Sequence, residues 1–517
     1  MAQLMIDVIL NCAKTRPAAT FWTFVLIHGA LWTLLPALFY SAPPIDVVEL
    51  LAWGREWQLG YFKHPPLAAW LLEAAYRLSG GGIWSAYLLS QLAIGATFLA
   101  IWLLARPMVG DLGALIAALA ADGIFYFTVP TPEFNNNVLQ MPLWAWSALL
   151  FHRGLTRGAL KYWLGLGGVL AALFYTKYSG GLLVPLFVGI ALATGEGRRA
   201  LQTPGPWLGA LLGFVLALPH LVWMTGSDMA AIDYVFAQDR AQSLIGRLAY
   251  ALEFIGAQAL DHGPLAILAA IALFGRRDRW APGDRPLLVA LPALARFDRF
   301  FVLAVAAGPV LLAALLSFVI NVRFRSMWGA PMFAFSGLAL VVLARRALVI
   351  HRPRLVAAIM AALVVATPIL HTAGLWLSPH LTHKGHRVVW PGTAIGKAVN
   401  DAWTRETGGA AAGRPLAILA GNTWLAGLAA LYGTSRPAVM LEATHAYAPW
   451  VTPEDLRRDG AIVLWQIRGA GEEAMPAIYG DAGSLASVRE PMRFSWPGGL
   501  PIGDIVVGWA IIHPRQD

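Results

Sequence analysis

The feature that most constrains this chain is a series of apolar stretches, each close to the length needed to cross a bilayer. About 20 mostly apolar residues traverse the hydrocarbon core. Eleven candidates lie at roughly 20–40, 84–105, 113–130, 137–152, 162–177, 180–194, 205–225, 250–274, 300–320, 326–344 and 355–377. Some contain glycine and proline, which buried membrane helices tolerate. Only Ser179-Gly180-Gly181 separates the fifth from the sixth. Composition agrees: 58% of the residues are hydrophobic and 13% charged, against about 25% charged in soluble proteins. A soluble enzyme, a disordered scaffold and a disulfide-built secreted domain are therefore excluded. The one cysteine, Cys12, has no partner for an internal disulfide. Lys14 and Arg16 precede the first stretch without a cleavable signal pattern.

The net charge of +9 is explained by where the basic residues fall. With a cytoplasmic N-terminus, the inside loops hold Arg106, then Arg153, Arg157 and Lys161, then Arg198 and Arg199. Further along they hold Arg276, Arg277, Arg279, Arg285, Arg296 and Arg299, and then Arg345, Arg346, Arg352 and Arg354. This is the positive-inside pattern, and it calls for no nucleic-acid partner. Eleven crossings place everything from about 378 onward outside.

Two pieces lie off the membrane. Loop 41–83 carries Trp53, Trp57, Tyr61, Trp70 and Tyr76, residues suited to short interfacial helices. In the tail, 378–517, Leu416–Ala420, Ala438–Leu441, Ala461–Gln466 and Ile505–Ile512 read as strands, with helices at Asn422–Tyr432 and Pro453–Arg458. The expected fold is a polytopic α-helical membrane protein of about eleven transmembrane helices. It has one membrane domain, 1–377, that includes loop 41–83, and a C-terminal extracytoplasmic α/β domain, 378–517.

The scarce charged residues at the outer face are the chemical candidates. Asp46 and Glu49 sit three apart, so one helical turn would face them the same way. Ionisable groups at the membrane edge are functional candidates by default. A helix cap, with Asp46 after two prolines and Glu49 completing a capping box, explains the spacing equally well. The run Tyr61-Phe62-Lys63-His64-Pro65-Pro66-Leu67 sets a Lys-His pair before a rigid turn, where it could meet a phosphate or be an ordinary basic interfacial turn. Thr131-Pro132-Glu133 precedes three asparagines, Asn135 to Asn137, and a cap again competes with a site. Lys177, Tyr178, Asp239, Arg240, His262, Arg323 and Arg325 also map to the outer side. Snorkelling accounts for any one of the cations; their gathering on one face is harder to attribute to it. No zinc spacing, P-loop or nucleophile elbow is present. His380, His383 and His386 read as a solvated linker.

The order of these elements resembles the GT-C integral-membrane glycosyltransferases. The nearest branch is that of the protein O-mannosyltransferases and their bacterial relatives, the lipid A aminoarabinose transferases. His64-Pro65-Pro66-Leu67 is similar to the His-Pro-Pro-Leu of the O-mannosyltransferases. Thr131-Pro132-Glu133 stands where the family has a second acidic residue, and Tyr175-Thr176-Lys177 before a glycine pair resembles its Thr-Lys-Gly element. The resemblance covers about 20–380. One departure concerns the first loop: the family has adjacent Asp-Glu, whereas here the acids are Asp46 and Glu49, which leaves open which of them is the base.

The resemblance implies inverting sugar transfer from a polyprenyl-phosphate donor to an envelope glycan or glycolipid, of the lipid A or lipopolysaccharide kind. The reaction would occur at the outer face of a bacterial inner membrane, with the tail in the periplasm. Asp46 would be the general base, with Glu49 and Glu133 orienting acceptor or cations. Lys63, His64, Lys177, Arg323 and Arg325 would stabilise the leaving phosphate, and Tyr61, Asn136, Tyr178 and His262 would contact substrate. No cofactor is required, although the acid pairs leave a divalent metal open. The partners implied are the lipid-linked sugar donor, a lipid or glycan acceptor and the bilayer. A protein acceptor is the alternative within the family. A transporter of a lipid or polar solute is the alternative outside it, disfavoured because the acids lie at one edge and no internal repeat is visible. A non-catalytic scaffold is the third reading.

Overall fold

The computed structural model describes residues 2–226, 236, 239–274, 285–469 and 474–515. Arg276, Arg277 and Arg279, which enter the orientation argument, lie outside the described residues. In chain order the helices are α1 (Ala2–Thr15), α2 (Pro17–Phe39), α3 (Ile45–Gly54), α4 (Leu67–Leu78), α5 (Trp84–Asp122), α6 (Asn136–Arg157) and α7 (Leu160–Phe174). They continue with α8 (Leu183–Ala193), α9 (Gly195–Leu201), α10 (Pro204–Gly226), α11 (Leu244–Asp261), α12 (Gly263–Phe274), α13 (Arg296–Ile320), α14 (Ser336–Leu343) and α15 (Pro353–Thr382). The tail adds α16 (Gly392–Thr407), α17 (Thr423–Tyr432), α18 (Pro453–Asp459) and α19 (Gly480–Leu485).

The predicted spans fall on helices, but not as eleven clean crossings. Among the described residues, five helices are long and apolar enough to cross a membrane, or up to eight if each bent pair is one span. The second and third predicted spans meet within α5, which is two helical stretches joined at a kink at Gly110 (φ 75°). Beyond Asp122 the third span gives way to a short 3₁₀ turn, Phe125–Phe127. Three other spans are broken pairs: Tyr178–Ala193 with α9 (104°), α11 with α12 (55°) and Ser326–Phe333 with α14 (52°). Apolar content alone registers a run of hydrophobic residues and cannot register a bend inside it.

The described chain forms two compact units. The first is Met1–Leu34, Lys63–Leu67 and Tyr87–Leu370; the second is Leu35–Phe62, Ala68–Ala86 and His371–Asp517. Most of loop 41–83 thus groups with the tail rather than with the membrane domain to which the sequence reading assigns it.

In the first unit, α7 and α10 meet through glycines. Gly205, Gly209 and Gly213 repeat every fourth residue, and a Cβ built on Gly167 would stand 2.1 Å from the Gly209 carbonyl oxygen. Without side chains in the way the two backbones approach closely, the usual route to tight helix packing where lipid supplies no hydrophobic drive. Elsewhere in this unit, β1 (Leu287–Ala290) pairs antiparallel with β2 (Ala347–Ile350).

In the second unit, a five-stranded sheet runs in the order β4-β3-β5-β7-β6. Strands β3 (Ile418–Gly421), β4 (Ala438–Leu441) and β5 (Ala461–Ile467) are parallel; β7 (Ile505–Ile512) runs antiparallel to β5 and to β6 (Ser487–Phe494). The four predicted strands and two predicted helices are present within two residues at each end. Strand β6 was not expected: it carries Arg489, Glu490, Pro491 and Arg493. It is an edge strand with an irregularity between Arg489 and Met492, where proline and charge are tolerated. Loop 41–83 supplies two helices, as expected, and α3 packs on α17, where a Cβ on Gly427 would meet Val48 Cγ1 at 2.5 Å.

Candidate functional site

In the first unit, the Lys63–Leu67 turn is held to the end of α7 by its backbone. The Leu67 N–H donates to the Tyr175 carbonyl at 2.9 Å. The same short segment, Tyr175 to Lys177, is gripped from α6. Asn136 Nδ2 donates to the Thr176 carbonyl at 2.6 Å, and Lys177 Nζ donates to Asn137 Oδ1 at 2.6 Å. The cap of α6 is Asn135, whose Oδ1 accepts from the Asn137 and Val138 N–H groups. The three asparagines therefore divide the work: one caps the helix and two hold the lysine segment.

Lys177 is 8% exposed, and its ammonium lies 5.3 Å from the Trp328 ring centroid. A buried lysine needs hydrogen bonds or a π face in place of water, and both are present. His64 stands in the field of two ammonium groups. Burial, then the charges of Lys177 and Lys63, push its pKa well below the ordinary histidine value, so the imidazole is neutral at physiological pH. Both lysine charges therefore act on His64.

The Thr131-Pro132-Glu133 loop is rigid. Thr131 is fully buried, its hydroxyl donating to the Thr128 carbonyl at 2.7 Å and accepting from Gln91 Nε2 at 3.0 Å. Ser90 Oγ donates to the Thr131 carbonyl. Glu133 is half-buried and does not cap α6.

Other expected site residues are occupied structurally. Arg323 makes two hydrogen bonds to the Glu253 carboxylate and lies 3.6 Å from Asp239. Both ring nitrogens of His262 are engaged, Nδ1 with the Gln258 carbonyl at 2.8 Å and Nε2 with Ser336 Oγ at 3.0 Å. Arg325 is exposed at the start of the Ser326–Phe333 turn. Tyr178 shares a hydrogen bond with His220 Nε2 at 3.0 Å. His220, fully buried, also donates its N–H to Tyr175 Oη at 3.2 Å. Sequence reasoning missed Asn137 and His220. The signal for His220 is a histidine inside an otherwise apolar span.

In the second unit, α3 begins after Pro44, with no side-chain cap hydrogen bond. Asp46 is thus inside the first turn and is not the helix cap, so the capping explanation of Asp46 and Glu49 fails. Asp46 is half-buried and Glu49 is 6% exposed. Tyr61 is 2% exposed, stacks on Trp53 with centroids 4.8 Å apart, and donates its hydroxyl to the Trp53 carbonyl at 2.8 Å. Burial raises its pKa; the ring acts as core and its hydroxyl is spent.

Residues 63–223 match the sequence model of the dolichyl-phosphate-mannose-protein mannosyltransferase family. The matched stretch holds His64, Glu133 and Lys177. The chain is 29% identical over 317 residues to the lipid A galacturonosyltransferase RgtD of Rhizobium johnstonii, covering 56% of this chain and 64% of that one. It is 25% identical over 343 residues to the lipopolysaccharide core galacturonosyltransferase RgtA of the same organism, covering 64% and 60%. The chain thus spans about three-fifths of the length of these curated relatives. Its fold is similar to that of ArnT from Cupriavidus metallidurans. The form bound to undecaprenyl phosphate gives a TM-score of 0.56 at 15% identity, covering 95% of this chain and 98% of that one. The apo form gives 0.51 at 14%, covering 97% and 100%. The resemblance to GT-C glycosyltransferases read from the sequence is borne out.

Proposed function

We propose that this chain is a glycosyltransferase that moves a sugar from a polyprenyl-phosphate donor to a lipid A or lipopolysaccharide-like acceptor at the outer face of the inner membrane. The observation that carries this reading is that the turn bearing Lys63 and His64 is hydrogen-bonded to the Tyr175–Lys177 segment, so that both lysine charges bear on a His64 whose pKa is lowered. A phosphate ester leaving group acquires negative charge as the sugar departs, and two fixed cations stabilise it more than they stabilise the donor. The neutral imidazole adds a hydrogen bond without needing a proton from solution. The names of the two Rhizobium relatives support a galacturonosyl donor and a glycolipid acceptor. The undecaprenyl phosphate bound to ArnT, whose fold is similar, supports a polyprenyl phosphate carrier. The reading takes the chain through eleven crossings, with α5 bent back at Gly110 and the tail in the periplasm.

The reading assigns the general base to Asp46, which deprotonates the acceptor hydroxyl while the donor phosphate leaves with its electron pair. Inversion needs one displacement and no covalent enzyme intermediate. Glu49 and Glu133 orient the acceptor or the cations. The scheme invokes no metal. The test is transfer of sugar from a synthetic polyprenyl-phosphate galacturonate to lipid A by the purified full chain, with and without EDTA. Product is expected in both conditions, and Asp46→Asn is expected to form none. Normal turnover by Asp46→Asn removes Asp46 as base; no product with any lipid-linked sugar, alongside solute uptake into proteoliposomes, replaces the enzyme with a transporter.

A further inference from the structure

Beyond the site above, the first unit contains a cavity of about 550 Å³ that none of the proposed chemistry uses. Its size falls within the range of small-molecule sites, and its walls are almost entirely aliphatic. One wall is α1. Met5, Val8, Ile9, Cys12 and Ala13 all line the cavity, and their spacing is that of a single helical stripe. The opposite wall is α15, which lines it from Pro353 to Val365. That is 13 residues, or about 18 Å of helix from first to last. Parts of α2 and α5 close the sides, and Leu287 and Ile350, paired across the β1–β2 ladder, also line it.

Three observations identify the occupant. The groove is about as long as one leaflet's share of the hydrocarbon core, roughly 15 Å. Among the described residues, Arg16 is the one charged residue lining it, at the junction of α1 and α2. Finally, α1 is tied to the start of α15 by an ion pair, Arg354 Nε to Asp7 Oδ1 at 2.7 Å and Nη2 to Oδ2 at 3.3 Å, which fixes the two walls against each other. An aliphatic slot one leaflet deep with a single cation at its end fits an acyl chain whose headgroup phosphate meets an arginine.

We infer that this groove is a binding site for an anionic glycerophospholipid of the cytoplasmic leaflet. One acyl chain lies between α1 and α15, and the phosphate pairs with Arg16. The leaflet follows from the orientation adopted under the proposed function; the ligand's chemistry does not depend on it. Basic pockets between helices at the cytoplasmic side recognise such headgroups through their net negative charge. Ordinary annular lipid would fill the same space without regard to headgroup, which separates the two experimentally.

The chain supplies its own probe, because Cys12 lines the groove and is its sole cysteine. The full-length protein is reconstituted in nanodiscs of phosphatidylcholine alone or with one quarter phosphatidylglycerol, and Cys12 is labelled with a membrane-permeant maleimide. Phosphatidylcholine carries the same phosphate but cancels its charge with choline, so one arginine facing a net-anionic headgroup corresponds to about a fivefold difference in occupancy. Labelling is therefore expected to be about fivefold slower with phosphatidylglycerol present. Arg16→Gln is expected to label at one rate in both bilayers. Ala357→Phe, which places a ring in the groove, is expected to lose phosphatidylglycerol retention in native mass spectrometry at unchanged melting temperature. Equal wild-type rates in the two bilayers overturn the site, as does protection that survives in Arg16→Gln. Protection by undecaprenyl phosphate but not by phosphatidylglycerol overturns it too. No sugar donor enters the experiment, so its outcome is independent of whether transfer is observed.

Discussion

Lys177 Nζ and Asn137 Oδ1 are 2.6 Å apart, joining segments 40 residues apart in sequence. The amide is neutral, so the bond aims the ammonium without cancelling its charge. Replacing Lys177 with alanine removes a cation that stabilises the leaving phosphate, and such losses cost about 100-fold or more in turnover. Asn137→Ala keeps the charge and removes its orientation. A hydrogen bond to a charged group is worth about 1.5–3 kcal/mol, so turnover falls about 10- to 100-fold. Steady-state kinetics with a lipid-linked sugar check both, and an Asn137→Asp variant that pairs the lysine is expected to weaken donor binding instead.

The neutral His64 makes stability depend on pH in a defined direction. Its folded pKa lies well below the ordinary value, because burial and two lysine charges disfavour the proton. Between the two pKa values the unfolded chain binds a proton that the folded chain does not, so stability is full above about pH 6.5 and is lost as pH falls below it. The melting temperature of the wild type in detergent is expected to decline from about pH 6.5 downward. His64→Gln is expected to flatten that part of the profile. An unchanged profile would show that His64 protonates as readily folded as unfolded.

Part of this site is legible in the order of residues and part is not. The runs at 131–137 and 175–178 stand out in the sequence because polar residues interrupt apolar ones. Nothing in the order of residues says that Asn137, rather than Asn136, reaches Lys177, since that depends on the rotation of α6 against α7. Arg323 looked like a phosphate ligand because its partner, Glu253, is 70 residues away. Asp46 looked like a cap because Pro-Pro precedes it, whereas the helix starts one residue earlier, at Ile45. The tail's inner strands were legible because they are continuous apolar runs. Strand β6 was not, because an edge strand has no need to be apolar. The breaks within the spans are illegible for a different reason: bends such as the 104° turn before α9 leave no mark on hydropathy.

The glycine contact between α7 and α10 predicts where the first unit is most brittle. A side chain at Gly209 would place its Cβ 2.4 Å from the Trp163 carbonyl oxygen, and backbone cannot move aside cheaply. Gly209→Leu must force the two helices apart, with an overpacking cost of about 1–3 kcal/mol or more. Because α7 ends at the Tyr175–Lys177 segment, the separation also shifts the lysine. Reduced melting temperature together with reduced turnover is expected. Gly168→Ala, on the partner helix α7 with nothing within 4 Å of the added Cβ, is the control and is expected to leave both unchanged.

In the second unit, Glu73 of α4 is a carboxylate with a fully buried side chain. Arg436 donates to both of its oxygens, and Arg77 donates to Oε1. The Arg436 guanidinium also lies 4.4 Å from the Tyr76 ring centroid, and its carbonyl accepts from Arg55 Nε at 2.9 Å. Burial alone would raise the Glu73 pKa, but the hydrogen bonds and charges of Arg436 and Arg77 outweigh it and hold the carboxyl below its usual range. The pair therefore contributes stability above about pH 4.5 that is lost as pH falls through the folded pKa. Removing one partner leaves the other buried without compensation, at about 3–5 kcal/mol. Arg436→Met and Glu73→Met should each lower the melting temperature sharply. The double variant, which replaces the pair with apolar side chains, should recover most of the loss. Additive losses in the double-mutant cycle would mean that each residue acts through separate contacts, such as the Tyr76 ring, and that the ion pair itself contributes nothing net.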